Sequence, residues 1–175
     1  LHPRIIENKE WATALFVMSF AVIAFTKSVF ENRFADFANL IFSNKYIKVY
    51  RDGIHLKSGF TISLFFVQLI SLAFFIQLSM AHFGYASKTD WILYIQIITF
   101  LVFFILSKFL IEKIIATAFD MEEFVEQFNL QKVTYRTYIG LFMLPINVIL
   151  FYYDSISRNI LFVLIGIVLT TNVLT

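Results

Sequence analysis

Phe60-Thr-Ile-Ser-Leu-Phe-Phe-Val-Gln-Leu-Ile-Ser-Leu-Ala-Phe-Phe-Ile-Gln-Leu-Ser-Met-Ala-His-Phe83 runs for 24 residues without a lysine, arginine, aspartate or glutamate. As a helix rising about 1.5 Å per residue it covers about 36 Å, enough for a hydrocarbon core of about 30 Å. The run is continuously apolar, not alternating, which argues for a spanning helix and against a strand of a membrane barrel. Comparable runs flank it at about 11–30, opened by Trp11, and at 91–111, opened by Trp91 and continuing its periodic pattern to 119. Two more follow at 138–153 and 160–175. The expected fold is all-α: a polytopic transmembrane helix bundle, one integral-membrane domain over 1–175. The 138–153 run has 16 residues and contains Pro145. It reaches only about 24 Å, so it is expected to bend or break at the proline and to need a thinned bilayer or neighbouring helices.

Composition supports this reading. Of 175 residues, 59% are hydrophobic, 19% aromatic and only 15% charged, with a mean hydropathy of +0.79. A soluble domain is about 45–50% apolar and about 25% charged. Fourteen basic against twelve acidic residues give a net charge of +2, too balanced to imply a nucleic acid or another polyanion as partner. Cysteine is absent, which excludes disulfides, thiolate metal sites and cysteine nucleophiles. The chain begins at Leu1 and stops at Thr175 inside an apolar run, and is read as a fragment truncated at both termini.

The basic residues set an orientation. Ten of the fourteen lie in 27–58 and 107–137, and four (Arg4, Lys9, Lys88, Arg158) lie in the segments opposite. Basic residues favour the cytoplasmic side, so 31–58 and 120–137 are expected in the cytoplasm. In 31–46, Phe34, Phe37, Ala38 and Ile41 recur at i, i+3, i+4, i+7, the pattern of an interfacial amphipathic helix. Lys45, Lys48 and Arg51 follow in a basic, aromatic stretch. They are candidates for docking a partner or anionic lipid, or serve only as a topology signal.

In the second cytoplasmic segment, Asp120 and Glu123 resemble a capping box opening a helix. Met121, Phe124, Val125 and Phe128 form its apolar face, and Glu122, Glu123 and Glu126 lie on the other. An acidic face is repelled by anionic head groups, so Glu122, Glu123 and Glu126 are candidate docking residues for a protein partner or for the chain's own basic stretch.

No constellation of catalytic residues stands out. His2, His55 and His82 are far apart, the acids are scattered, and phosphate loops and nucleophile elbows are absent. Neither an enzyme nor a cofactor is expected. The intramembrane polar groups are amides: Gln68, Gln77, Gln96 and Asn147. Amides in spans act as hydrogen-bond glue between helices or line a conduit. Gln68 and Gln77 are nine apart, opposite one another on a straight helix, which favours separate helix contacts. Lys108 and Glu112, four apart, are expected to pair locally.

The runs Glu7-Asn-Lys-Glu-Trp11, Arg33-Phe-Ala-Asp-Phe37 and Phe42-Ser-Asn-Lys-Tyr-Ile-Lys-Val-Tyr50 resemble an uncharacterised multipass family of Bacteroidota inner membranes. So does Phe124-Val-Glu-Gln-Phe-Asn-Leu-Gln-Lys-Val-Thr-Tyr135, continuing to Gly140 and Leu144-Pro-Ile-Asn147. The resemblance covers nearly the whole chain and implies a fold and a bacterial inner-membrane location, with no activity attached. The leading expectation is a non-enzymatic accessory or scaffold subunit of a larger membrane complex, serving protein export or envelope biogenesis. Its partners would be the bilayer and other integral-membrane subunits. The alternative is a small transporter or channel lined by the four amides, and a weaker third is a lipid-modifying enzyme.

Overall fold

A computed structural model describes residues 9–39, 49, 58–153 and 158–174. The fold among these residues is all-α. The helices are α1 (Glu10–Val29), α2 (Glu31–Ala38), α3 (Gly59–His82), α4 (Trp91–Ala118), α5 (Glu122–Tyr152) and α6 (Arg158–Leu174). Helices α1, α3, α4 and α5 are long and apolar enough to cross a membrane.

Helix α3 is the axis of the bundle. Eleven of its 24 residues are buried, and its most extensive contact is with α5. Helix α4 buries only Tyr94 and Ala116 of its 28 residues, leaving Phe100, Phe103, Phe104, Leu110 and Ile114 exposed. On α1, Ala12, Phe16, Ser19 and Thr26 are buried along one seam. Ala14, Ala21 and Ala24 face outward.

Aromatic clusters close the two ends. At one end Phe74 lies 4.3 Å from Phe16, 4.6 Å from Tyr94 and 5.6 Å from Trp11, ring centre to ring centre. There Trp11 Nε1 donates to Thr89 O at 3.2 Å, tying α1 to the α3–α4 turn. At the other end Phe37 of α2 sits 5.8 Å from Phe60 and 5.4 Å from Tyr138. Arg33, itself buried, stacks 4.7 Å over the Phe60 ring and donates to Ser58 Oγ (2.8 Å) and Thr61 Oγ1 (3.2 Å). Of the apolar face of α2, Phe37 is buried against Phe60 and Tyr138, Phe34 is half-buried and Ala38 is exposed. The continuation of that amphipathic pattern through Ile41 falls outside the described residues.

Three expectations need correction. First, no boundary separates an amphipathic segment at 120–137 from a short span at 138–153: α5 is one helix of 31 residues, about 46 Å long. The length shortfall therefore does not arise. Second, of the two expected effects of Pro145, a bend or a break, the break does not occur, because α5 runs on through it. A proline deletes one backbone donor, a loss that membrane helices tolerate when the ladder continues on either side. Third, Asp120 is not a helix N-cap. That position belongs to Met121, without a side-chain cap bond, while Asp120 has φ 55°. Asp120 N donates to Thr117 O (3.4 Å) and Met121 N to Ala116 O (2.9 Å). These two bonds are a Schellman motif closing α4, with Asp120 in the left-handed position usually taken by glycine. Gly84, φ 79°, closes α3 by the same pair of bonds.

Candidate functional site

Two polar regions are candidates: the amides inside the bundle and a cleft at the end of the bundle near the α4–α5 turn. Of the amides, Gln68 and Asn147 lie on the α3–α5 seam. Thr137 Oγ1 donates to Gln68 Oε1 at 3.0 Å. Asn147 Nδ2 donates to Ser71 O at 2.7 Å and to Ser71 Oγ at 3.1 Å. Between these bonds the helices approach at Gly140, where an added Cβ would stand 2.7 Å from Gln68 Cγ and 3.0 Å from Gln68 Cα. Gly140 acts by having no side chain, so only the packing of two distant segments reveals its role.

Gln77 is fully buried, and its Nε2 donates to Ser87 O (3.1 Å) and Asp90 O (2.7 Å). It pins the turn that connects α3 to α4, and Asp90 in turn caps α4 through Ile92 N and Leu93 N. Gln96 is exposed on α4. The four amides thus do not meet in one cavity: two hold α5, one holds a turn and one faces outward.

The cleft is formed by α3, α4 and α5 and encloses about 460 Å³, within the range of about 300–1,000 Å³ usual for small-molecule sites. Ile62, Phe65, Phe109, Val125 and Val133 give it an apolar interior, and Lys113, Glu122 and Glu126 are its charged groups. Thr117 Oγ1 donates to Glu122 Oε1 at 2.7 Å. Asn129 also lines the cleft. It is only 7% exposed. Beside the cleft, Lys132 Nζ meets Glu112 Oε1 at 2.9 Å. This bond joins α4 to α5, so that Glu112 serves Lys132 of the neighbouring helix as well as lying near Lys108 on its own.

Of the acidic docking candidates, Glu122 and Glu126 therefore border this cleft, while Glu123 does not line it. Lys45, Lys48 and Arg51 lie outside the described residues. Two participants escaped the sequence reading. Arg33 registered only as a positive charge, because its partners Ser58 and Thr61 are 25 and 28 residues away. Asn129 sat unremarked in a polar stretch, although its position beside the acidic triplet was a signal.

A family model described as a domain of unknown function (DUF4271) matches residues 12–175. No curated protein and no solved structure matches the chain.

Proposed function

The chain belongs to the DUF4271 family, and we propose that it is a non-enzymatic scaffold subunit of a larger complex in the inner membrane of Bacteroidota, serving protein export or envelope biogenesis. The observation that carries this reading is the use of the buried amides. Gln68, Gln77 and Asn147 are each engaged with another helix or with the 84–90 turn. A transporter needs polar groups converging on one path; here the bonded amide groups tie helices and a turn together, and the two buried amide oxygens without a partner, Gln77 Oε1 and Asn147 Oδ1, belong to these separate contacts. Helix α4 adds support: only Tyr94 and Ala116 are buried, and its face away from α3, with Phe100, Phe104 and Leu110 exposed, is available to neighbouring helices. The ten-to-four split of basic residues favours a cytoplasmic α4–α5 turn, with Glu122, Glu123 and Glu126 available to a partner there. The inner-membrane setting and the taxon rest on the sequence resemblance.

The test is purification of the full-length protein in mild detergent, with mass spectrometry of co-eluting proteins. A defined set of integral-membrane proteins is expected, lost when Phe100, Phe104 and Leu110 on the outer face of α4 are replaced together by alanine. Saturable solute uptake into proteoliposomes holding only this protein, abolished by Asn147→Leu, would overturn the reading.

A further inference from the structure

The cleft between α3, α4 and α5 lies at a telling depth. Trp91 opens α4, and tryptophan favours the membrane–water interface. Lys113, on the cleft, is 22 residues farther along the same helix, about 33 Å away against a core of about 30 Å. With Trp91 at one interface, Lys113 therefore stands at the head-group level of the opposite leaflet. Phe109, one turn nearer the core, belongs to the apolar interior.

Beyond Phe109 the surface of α4 continues into a second groove of about 570 Å³, shared with α1 and α3 and lined almost entirely by apolar side chains such as Phe66, Leu69, Ile98 and Val102. On α3 the cleft uses Ile62 and Phe65, and the groove uses Phe66, Leu69 and Ile70, so the two follow one another along the same helix. A charged pocket at head-group depth with an apolar furrow next to it along α3 and α4 matches the two parts of a phospholipid.

The charges select its head group. Two carboxylates, Glu122 and Glu126, face one ammonium, Lys113. An anionic head group would meet a net negative site, whereas a head group carrying both an ammonium and a phosphate meets a complement for each. Asn129, only 7% exposed, also lines the cleft, and its carboxamide carries a donor and an acceptor that a zwitterionic head group can use. We propose that this cleft binds one aminophospholipid of the phosphatidylethanolamine type. Its ammonium lies at Glu122 and Glu126, its phosphate at Lys113, and one acyl chain in the adjoining groove. The primary ammonium donates charge-assisted hydrogen bonds to the carboxylates, which a trimethylated choline head group cannot do. The proposal needs no partner subunit and stands apart from the scaffold reading.

The experiment is native mass spectrometry of the delipidated full-length protein, titrated with phosphatidylethanolamine, phosphatidylglycerol or phosphatidylcholine of identical acyl chains. One phosphatidylethanolamine is expected to remain bound at least about tenfold more tightly than either of the others, the scale of one charge-assisted hydrogen bond. Glu126→Gln keeps shape at an exposed position and should erase that preference without changing the melting temperature. Val125→Trp fills the cleft and should abolish the bound lipid. Equal affinity for the three lipids overturns the proposal. So does a preference that survives both variants, or a cleft that takes only a basic peptide and no lipid.

Discussion

At Gly140 a single added carbon would meet the backbone of α3, at 3.0 Å from Gln68 Cα. A flexible side chain could retreat, but a helix backbone can do so only if α3 and α5 separate. Separation would strain the Thr137–Gln68 and Asn147–Ser71 bonds that flank the contact. Gly140→Ala is therefore expected to cost about 1–3 kcal/mol, the usual range for overpacking a tight contact. Gly166 supplies the control, because nothing lies within 4 Å of a Cβ placed there. Gly166→Ala should be neutral or stabilising by up to about 1 kcal/mol, since a helix interior prefers alanine. Thermal unfolding in detergent of both variants would check the pair, and equal effects would contradict the packing argument. The amides were legible in the sequence because polarity inside an apolar run stands out against its background. Gly140 and Arg33 were not, because their roles come from partners brought together only by the fold.

For the elements, the sequence was most informative where composition changes abruptly. Helices α1, α3 and α4 coincide within one residue with the apolar runs 11–30, 60–83 and 91–119. It was least informative between 118 and 138, where Asp120 admits two readings. Aspartate is a good N-cap acceptor and one of the few non-glycine residues that enters the left-handed region readily. The two roles differ in how serine and glycine rank as replacements. As an N-cap, serine substitutes well and glycine slightly worse; in the left-handed position, glycine is best and serine pays the steric cost of its Cβ. With φ at 55°, Asp120→Gly is expected to hold or raise the melting temperature. Asp120→Val should lose about 1–2 kcal/mol, with Asp120→Ser between them. A serine variant as stable as the glycine variant would return Asp120 to the start of α5. Continuity of α5 was hidden for a different reason. Lys132 and Arg136 interrupt its hydropathy, yet Lys132 is satisfied by Glu112 of the neighbouring helix, so charge within a helix does not mark its end.

Across the whole molecule, the two aromatic clusters define opposite ends, and the charges are distributed unequally between them. Trp11, Thr89 and Phe74 gather at the end that carries the α3–α4 turn. Phe37, Phe60 and Tyr138 gather at the end that carries α2. In the sequence, ten of the fourteen basic residues fall in 27–58 and 107–137, the stretches that include α2 and the α4–α5 turn, and the positive-inside rule assigns such stretches to the cytoplasm. The absence of native cysteine allows a direct test with single introduced thiols. Tyr85, 81% exposed in the α3–α4 turn, and Met121, 49% exposed between α4 and α5, are suitable positions because neither side chain contributes to the clusters. Thr134 would mislead, since it is buried and would resist reagents on either side. In intact spheroplasts, Tyr85→Cys should react with a membrane-impermeant maleimide, and Met121→Cys should react only after permeabilisation. The reverse pattern would invert the molecule and place the Glu122 and Glu126 cleft in the outer leaflet. Labelling of both thiols from outside would mean that α4 does not cross the bilayer, and the depth assigned to Lys113 would fall with it.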